Sequence, residues 1–158
     1  MLYDERVRIP FEIFSKKLQS AIYTMTGFNV EHEGVGLLEQ LEGQKNIAGT
    51  MVLAGKKNLV LVVTTNTKSA KLLVKYMTGI DGDELDENDL SDGLAEFANV
   101  VAGTVKTELK GTEFEYNLTS SFAITGDNLN FIVKKKMEKC CYCFKACEVL
   151  IKLEVFSF

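Results

Sequence analysis

The sequence predicts an α+β fold, a largely antiparallel β-sheet packed against a few helices, one of them long. Three observations carry this. Apolar residues recur at helical spacing in three separate runs before Gly111. Two strand-like runs, Ile47 to Leu53 and Leu59 to Thr64, flank Ala54-Gly55-Lys56-Lys57 as a hairpin. Beyond Gly111 the apolar runs all read as strand, so helices come early and a block of adjacent strands comes late.

Pro10 opens the first helix, where its fixed φ suits the first turn. Phe11, Phe14, Leu18, Ala21, Ile22 and Met25 follow at helical spacing, and Gly27 stops them. An extended stretch is expected from Phe28, with glycines at 34 and 36. After the hairpin, Asn66 or Thr67 caps a second helix carrying Ala70, Leu73, Val74 and Met77, which ends at Gly79. The acidic linker from Asp81 to Asn88 suits the N-terminal end of a long third helix, because the macrodipole favours negative charge there. That helix is expected from about Asn88 to Lys110. Strands are then expected at Phe114 to Leu118, Phe122 to Thr125 and Leu129 to Val133, and through Val149, Ile151, Leu153 and Val155. Gly126-Asp127-Asn128 forms a tight turn between two of them. With no linker, low-complexity tract or internal repeat, residues 1–158 read as one domain.

Bulk properties exclude several function classes. A net charge of −4 argues against nucleic acid as a partner, since phosphate binding needs a concentrated basic surface. The run Lys134-Lys135-Lys136 reads as a solvated strand end. No apolar stretch approaches the roughly 20 residues that cross a bilayer, and Met1 to Arg6 lacks a signal-peptide layout, so a cytoplasmic location is expected. The single histidine, His32, lies between Glu31 and Glu33, which argues strongly against a histidine-based triad or a His-rich metal site. Gly34-Val35-Gly36 continues as Leu37-Leu38-Glu39 and matches neither glycine-rich phosphate motif.

The long helix carries the most informative pattern. At roughly 100° per residue, Asp92, Glu96, Asn99, Gly103 and Lys106 fall in one narrow band, while Leu94, Phe97, Val101 and Val105 fall opposite. An outward mid-helix asparagine costs about half a kcal/mol relative to alanine, and a glycine about 1 kcal/mol. Gly103 leaves a flat patch beside Asn99. Such a helix presents a surface to another molecule.

Cys140, Cys141, Cys143 and Cys147 form a second cluster, with a CxxC spacing between Cys140 and Cys143. Thiolates at such spacing can hold zinc or an iron–sulfur centre. The segment reads as β, however, with Cys141, Cys143 and Cys147 facing one way and Cys140 the other. Zinc knuckles sit on tight turns instead. Packing as small hydrophobes is the expected role, and no metal site is assigned.

Taken together, Asp92-Gly93-Leu94-Ala95-Glu96-Phe97-Ala98-Asn99 with the following Val100-Val101-Ala102-Gly103 resembles the DxxxExxN signature of the CheX/CheC family of bacterial chemotaxis phosphatases. The run Ala70 to Gly79 and the later Ile124-Thr125-Gly126 also resemble their counterparts. With a single ExxN, the chain is more similar to CheX than to CheC. It departs from the family at Ser121, near which a proline is common. The resemblance implies a two-component signalling hydrolase acting on the aspartyl phosphate of a CheY-type response regulator. Asn99 would orient the attacking water and Glu96 would dock the receiver, with Asp92, Gly103 and Lys106 supporting the contact. No cofactor of its own is implied, because Mg²⁺ belongs to the receiver. A homodimer is implied as well. The alternative is a non-catalytic receiver-binding adaptor of the same fold.

Overall fold

In the computed structural model, which describes residues 9–132, 134 and 137–158, α1 spans Phe11–Thr26, with Pro10 at its N-cap and Gly27 at its C-cap. It buries Phe11, Phe14, Leu18 and Ile22, the face its periodicity predicts. A two-residue strand β1 (His32–Glu33) follows, and then a 3₁₀ helix at Val35–Leu41 where the sequence suggested extended chain. In that stretch Leu37 and Leu38 lie four and three residues before Leu41, a helical period hidden by its glycines.

Strands β2 (Lys45–Gly55) and β3 (Leu59–Asn66) form the expected hairpin. Asn66 caps α2 (Thr67–Thr78), its side chain accepting a 2.8 Å hydrogen bond from the Ser69 amide. The acidic linker ends in a capping box. The Asp86 carboxylate accepts from the Asp89 amide at 2.8 Å, and the Asp89 carboxylate accepts from the Asp86 amide at 2.9 Å. These bonds satisfy two orphan donors at the start of α3 (Glu87–Leu109), which matches the long helix of the sequence to within a residue at each end.

Four more strands follow: β4 (Tyr116–Leu118), β5 (Phe122–Asp127), β6 (Lys139–Ala146) and β7 (Val149–Ser157). The sheet runs β1-β6-β7-β3-β2, and the outer edge of β2 is shared end to end by β4 and β5. All its pairings are antiparallel. Two expectations are corrected. Residues 129–132 form no strand, and Val133 lies outside the described residues. Leu129 and Phe131 pack as a loop against Ala48, Val62 and Phe156, so their apolar alternation serves burial without ladder pairing. Cys147 does not continue the alternation of β6. It sits at φ 54° in the two-residue turn between β6 and β7 and is exposed.

Alternation along the strands separates two faces. Ile47, Met51, Leu53, Leu61, Val63, Phe144, Ile151 and Leu153 join the helices in the main core. The opposite face carries Asn46, Thr50, Thr64, Lys152 and Glu154, all buried and all polar. Phe156 packs on this second face and Phe158 is exposed, so only part of the apolar C-terminal tail is tucked into the fold.

Candidate functional site

The site begins with how closely α3 approaches the sheet. A side chain on Gly49, in the middle of β2, would place its Cβ 2.1 Å from the Leu94 carbonyl oxygen. Only a glycine lets the helix backbone rest on the strand at this point. Gly93 plays the same part towards α2: a Cβ there would lie 2.4 Å from Val74 Cγ2. Further along, the Tyr116 hydroxyl donates a 2.6 Å hydrogen bond to the Ala102 carbonyl, and burial pushes the phenol pKa upward. Ion pairs tie the two ends, Lys45–Glu87 at 2.5 Å and Lys17–Glu108 at 3.1 Å. These pairs lie at the surface and add little energy.

With its inner side so occupied, α3 turns the predicted stripe outward. Asp92 and Glu96 are exposed, and Asn99, Gly103 and Lys106 are half-buried along the same side. Leu94, Phe97, Val101 and Val105 are completely buried. Glu96 and Asn99, at i and i+3, project as neighbours. Among the described residues no ion pair engages Asp92, Glu96 or Lys106, so these charges are available to another molecule. A Cβ on Gly103 would meet nothing within 4 Å, so the patch beside Asn99 is open. The stripe thus brings two carboxylates, one carboxamide and one ammonium to a single convex face. A carboxamide both donates and accepts hydrogen bonds, and a carboxylate accepts them from a cation.

Sequence reasoning found the stripe and missed its seat. Gly49 and Gly93 hold the helix where it is, and Gly49 had a readable signal, being an isolated glycine in an apolar strand. The cysteines separate as well. Cys140 packs with Tyr142 against the main core, Cys143 is buried on the other side of β6, and Cys147 is in the turn. Burial pushes the thiol pKa of Cys140 and Cys141 up to about 11 and that of Cys143 up to about 12. Thiols held this way are poor ligands and nucleophiles at neutral pH. Among the described residues no group of three or more His, Cys, Asp and Glu side chains is placed to hold a metal ion, and no helix is long and apolar enough to cross a membrane.

Comparison with known proteins agrees with this architecture. The structure is similar to the chemotaxis protein CheX of Vibrio vulnificus, with a TM-score of 0.76 and 16% identity over 98% of this chain and 100% of that one. It is similar to a CheX of Desulfovibrio desulfuricans, with a TM-score of 0.72 and 19% identity over 93% and 97%. It also resembles CheX in a CheX–CheY–BeF₃–Mg²⁺ complex from Borrelia burgdorferi, with a TM-score of 0.70 and 18% identity over 93% and 96%. At these identities the likeness establishes the fold. A search of the curated proteins gives no match. A family model for the chemotaxis phosphatase CheX matches residues 47–145, more than half of the chain and including the whole outward stripe of α3. The chain therefore belongs to the chemotaxis phosphatase CheX family.

Proposed function

We propose that this protein hydrolyses the aspartyl phosphate of a CheY-type receiver, using Asn99 and Glu96 on the outward side of α3. The observation that carries the proposal is the placement of an exposed Glu96 and a half-buried Asn99 together on a helix whose inner side is seated through Gly49 and Gly93. The CheX–CheY complex of the Borrelia relative supports a receiver as the partner.

An acyl phosphate is already reactive, so what it lacks is a water held in line with phosphorus. The Asn99 carboxamide accepts a hydrogen bond from that water and donates one towards the phosphoryl oxygens, which fixes the angle of attack. Water adds to phosphorus, the bond to the aspartyl oxygen breaks, and inorganic phosphate leaves with the carboxylate restored. Glu96 acts by pairing with a lysine at the receiver's phosphorylation site. A carboxylate placed as general base beside a phosphoryl group would be repelled. The divalent cation is assigned to the receiver. Asp92, Gly103 and Lys106 support the contact, Gly103 by letting the partner's backbone come near. A cytoplasmic location and a homodimer belong to the same proposal, and the mass in solution tests the latter.

The test is phosphate loss from a phosphorylated receiver with the protein at trace concentration. Acceleration by wild type that disappears in Asn99→Ala, with receiver binding retained, is the expected result. Binding without turnover by wild type would favour the adaptor reading. Turnover that survives Asn99→Ala would place the water elsewhere.

A further inference from the structure

Lys106 closes the outward stripe of α3 at the end opposite Glu96, and its charge has no use within the chain. The acids that follow it in sequence are committed elsewhere. Glu108 pairs with Lys17 at 3.1 Å, Glu113 with Lys57 at 3.1 Å, and Glu115 accepts from the Gly111 amide at 2.9 Å. Among the described residues no ion pair or hydrogen bond engages the Lys106 ammonium, although its stem is half-buried. In a chain with 22 acidic residues against 18 basic ones, an ammonium left over beside the site stands out.

A cation in the last turn of a helix is favoured by the macrodipole. Helical side chains lean back towards the N-terminus, however, so Lys106 covers the turn before it and points away from the free carbonyls of the C-terminal end. It borders the open patch at Gly103 on one side, and Asn99 borders it on the other. At 1.5 Å of rise per residue, Asn99 lies about 4.5 Å along the axis from Glu96, and Lys106 about 10.5 Å beyond Asn99. The helix therefore shows carboxylate, carboxamide and ammonium in that order.

A helix laid across a partner and held by one ion pair can pivot about that pair. A second contact of opposite sign removes the freedom. We propose that Lys106 is a positioning residue that sets the direction of α3 across the receiver. It does so by pairing with a receiver carboxylate about 15 Å along the axis from the cation that meets Glu96. The inference rests on the receiver-phosphatase reading of Glu96 and Asn99. Turning the helix end for end would set Lys106 against the receiver's cation and Glu96 against its carboxylate. It would also move the Asn99 carboxamide about 6 Å along the axis, away from the phosphoryl group.

The experiment measures affinity by calorimetry for a CheY-type receiver activated with beryllofluoride and Mg²⁺, and turnover with the phosphorylated receiver. Lys106→Met keeps the stem and removes the charge. Its affinity should fall about fivefold at low salt, the upper end for an exposed pair. The difference from wild type should fade at 1 M salt, where the screening length is about 3 Å. KM should rise in step with the dissociation constant while kcat at saturation holds. Lys106→Arg should bind like wild type, and Lys106→Glu at least about tenfold more weakly. Replacing receiver surface carboxylates one at a time with lysine should yield one change that restores Lys106→Glu and weakens wild type. Undiminished affinity of Lys106→Met at low salt, a loss that persists at 1 M salt, or no rescuing receiver change would each overturn the proposal. Binding is read without turnover, so wild type that binds the receiver but releases no phosphate overturns the phosphatase reading alone. Wild type that does not bind the receiver overturns both.

Discussion

Replacing Gly103 with alanine separates the helix's own preference from the use made of its surface. Gly103 lies inside α3 and a Cβ there would touch nothing within 4 Å, so no clash opposes the change. Alanine is favoured over glycine in a helix interior by about 0.8–1 kcal/mol. For a domain of this size each kcal/mol moves Tm by about 2–4 °C, so Gly103→Ala should melt a few degrees higher. The same methyl group stands where the receiver would approach. An interface that must shift to admit it loses about 1 kcal/mol or more, which is roughly fivefold in kcat/KM for phosphate release. Thermal denaturation and a trace-enzyme turnover assay, run on wild type, Gly103→Ala and Gly103→Leu, read both quantities. Stability rising while turnover falls, more steeply for leucine, is the expected pattern. A lower Tm for Gly103→Ala would refute the helical seat. Unchanged turnover in Gly103→Leu would refute the approach surface.

Other perturbations test the seat and the chemistry. Gly49→Ala forces a Cβ against the Leu94 carbonyl and should cost at least about 2 kcal/mol in chemical denaturation; a loss below about half a kcal/mol would show that α3 can lift without penalty. Gly93→Ala meets a side chain instead of backbone, so Val74→Ala introduced with it should recover much of its loss, as a double-mutant cycle would read. Glu96→Gln should weaken receiver affinity more than the rate of the bound complex, whereas Asn99→Ala should lower that rate by about a hundredfold with little change in affinity. Cys147, the exposed cysteine, should react quickly with a thiol reagent in the folded protein, the half-buried Cys140 and Cys141 more slowly, and the buried Cys143 only on unfolding. The buried thiols hold their protons more tightly when folded, with pKa values of about 11 to 12 against 9.0. Their contribution to stability is therefore full below pH 9.0 and is lost as the pH climbs towards 11, which a denaturation series at alkaline pH would show.

The elements that were legible in the sequence are those where one period dominates. α1, α2 and α3 each bury the stripe that their spacing marks, and Asn66, Gly27 and Gly79 stand where caps belong. The hairpin of β2 and β3 and the outward band of α3 were equally readable. Leu129 to Phe131 misled because alternation records burial on one side and says nothing about ladder pairing. Val35 to Leu41 misled in the opposite sense, because glycines concealed a short helical period. The polar floor of the second sheet face could not be read at all. Asn46, Thr64, Lys152 and Glu154 lie on three strands, and only the registers that set Ala48 opposite Thr64 and Thr64 opposite Lys152 assemble them. In a linear sequence such residues look like ordinary solvent-facing positions.

The convex placement of Glu96 and Asn99 has a consequence for which molecules this protein can tell apart. A side chain on the outward flank of a helix stays wet, and a wet carboxamide exerts only a weak pull on a bound water. The dry surroundings that strengthen such contacts must come from the other molecule when it settles over the helix. A free acyl phosphate such as acetyl phosphate brings no such cover and should pass untouched. On the proposed reading, discrimination resides in the contour of an entire folded partner, and a protein that meets its substrate on an open helix gains selectivity by being only half of an enclosing site.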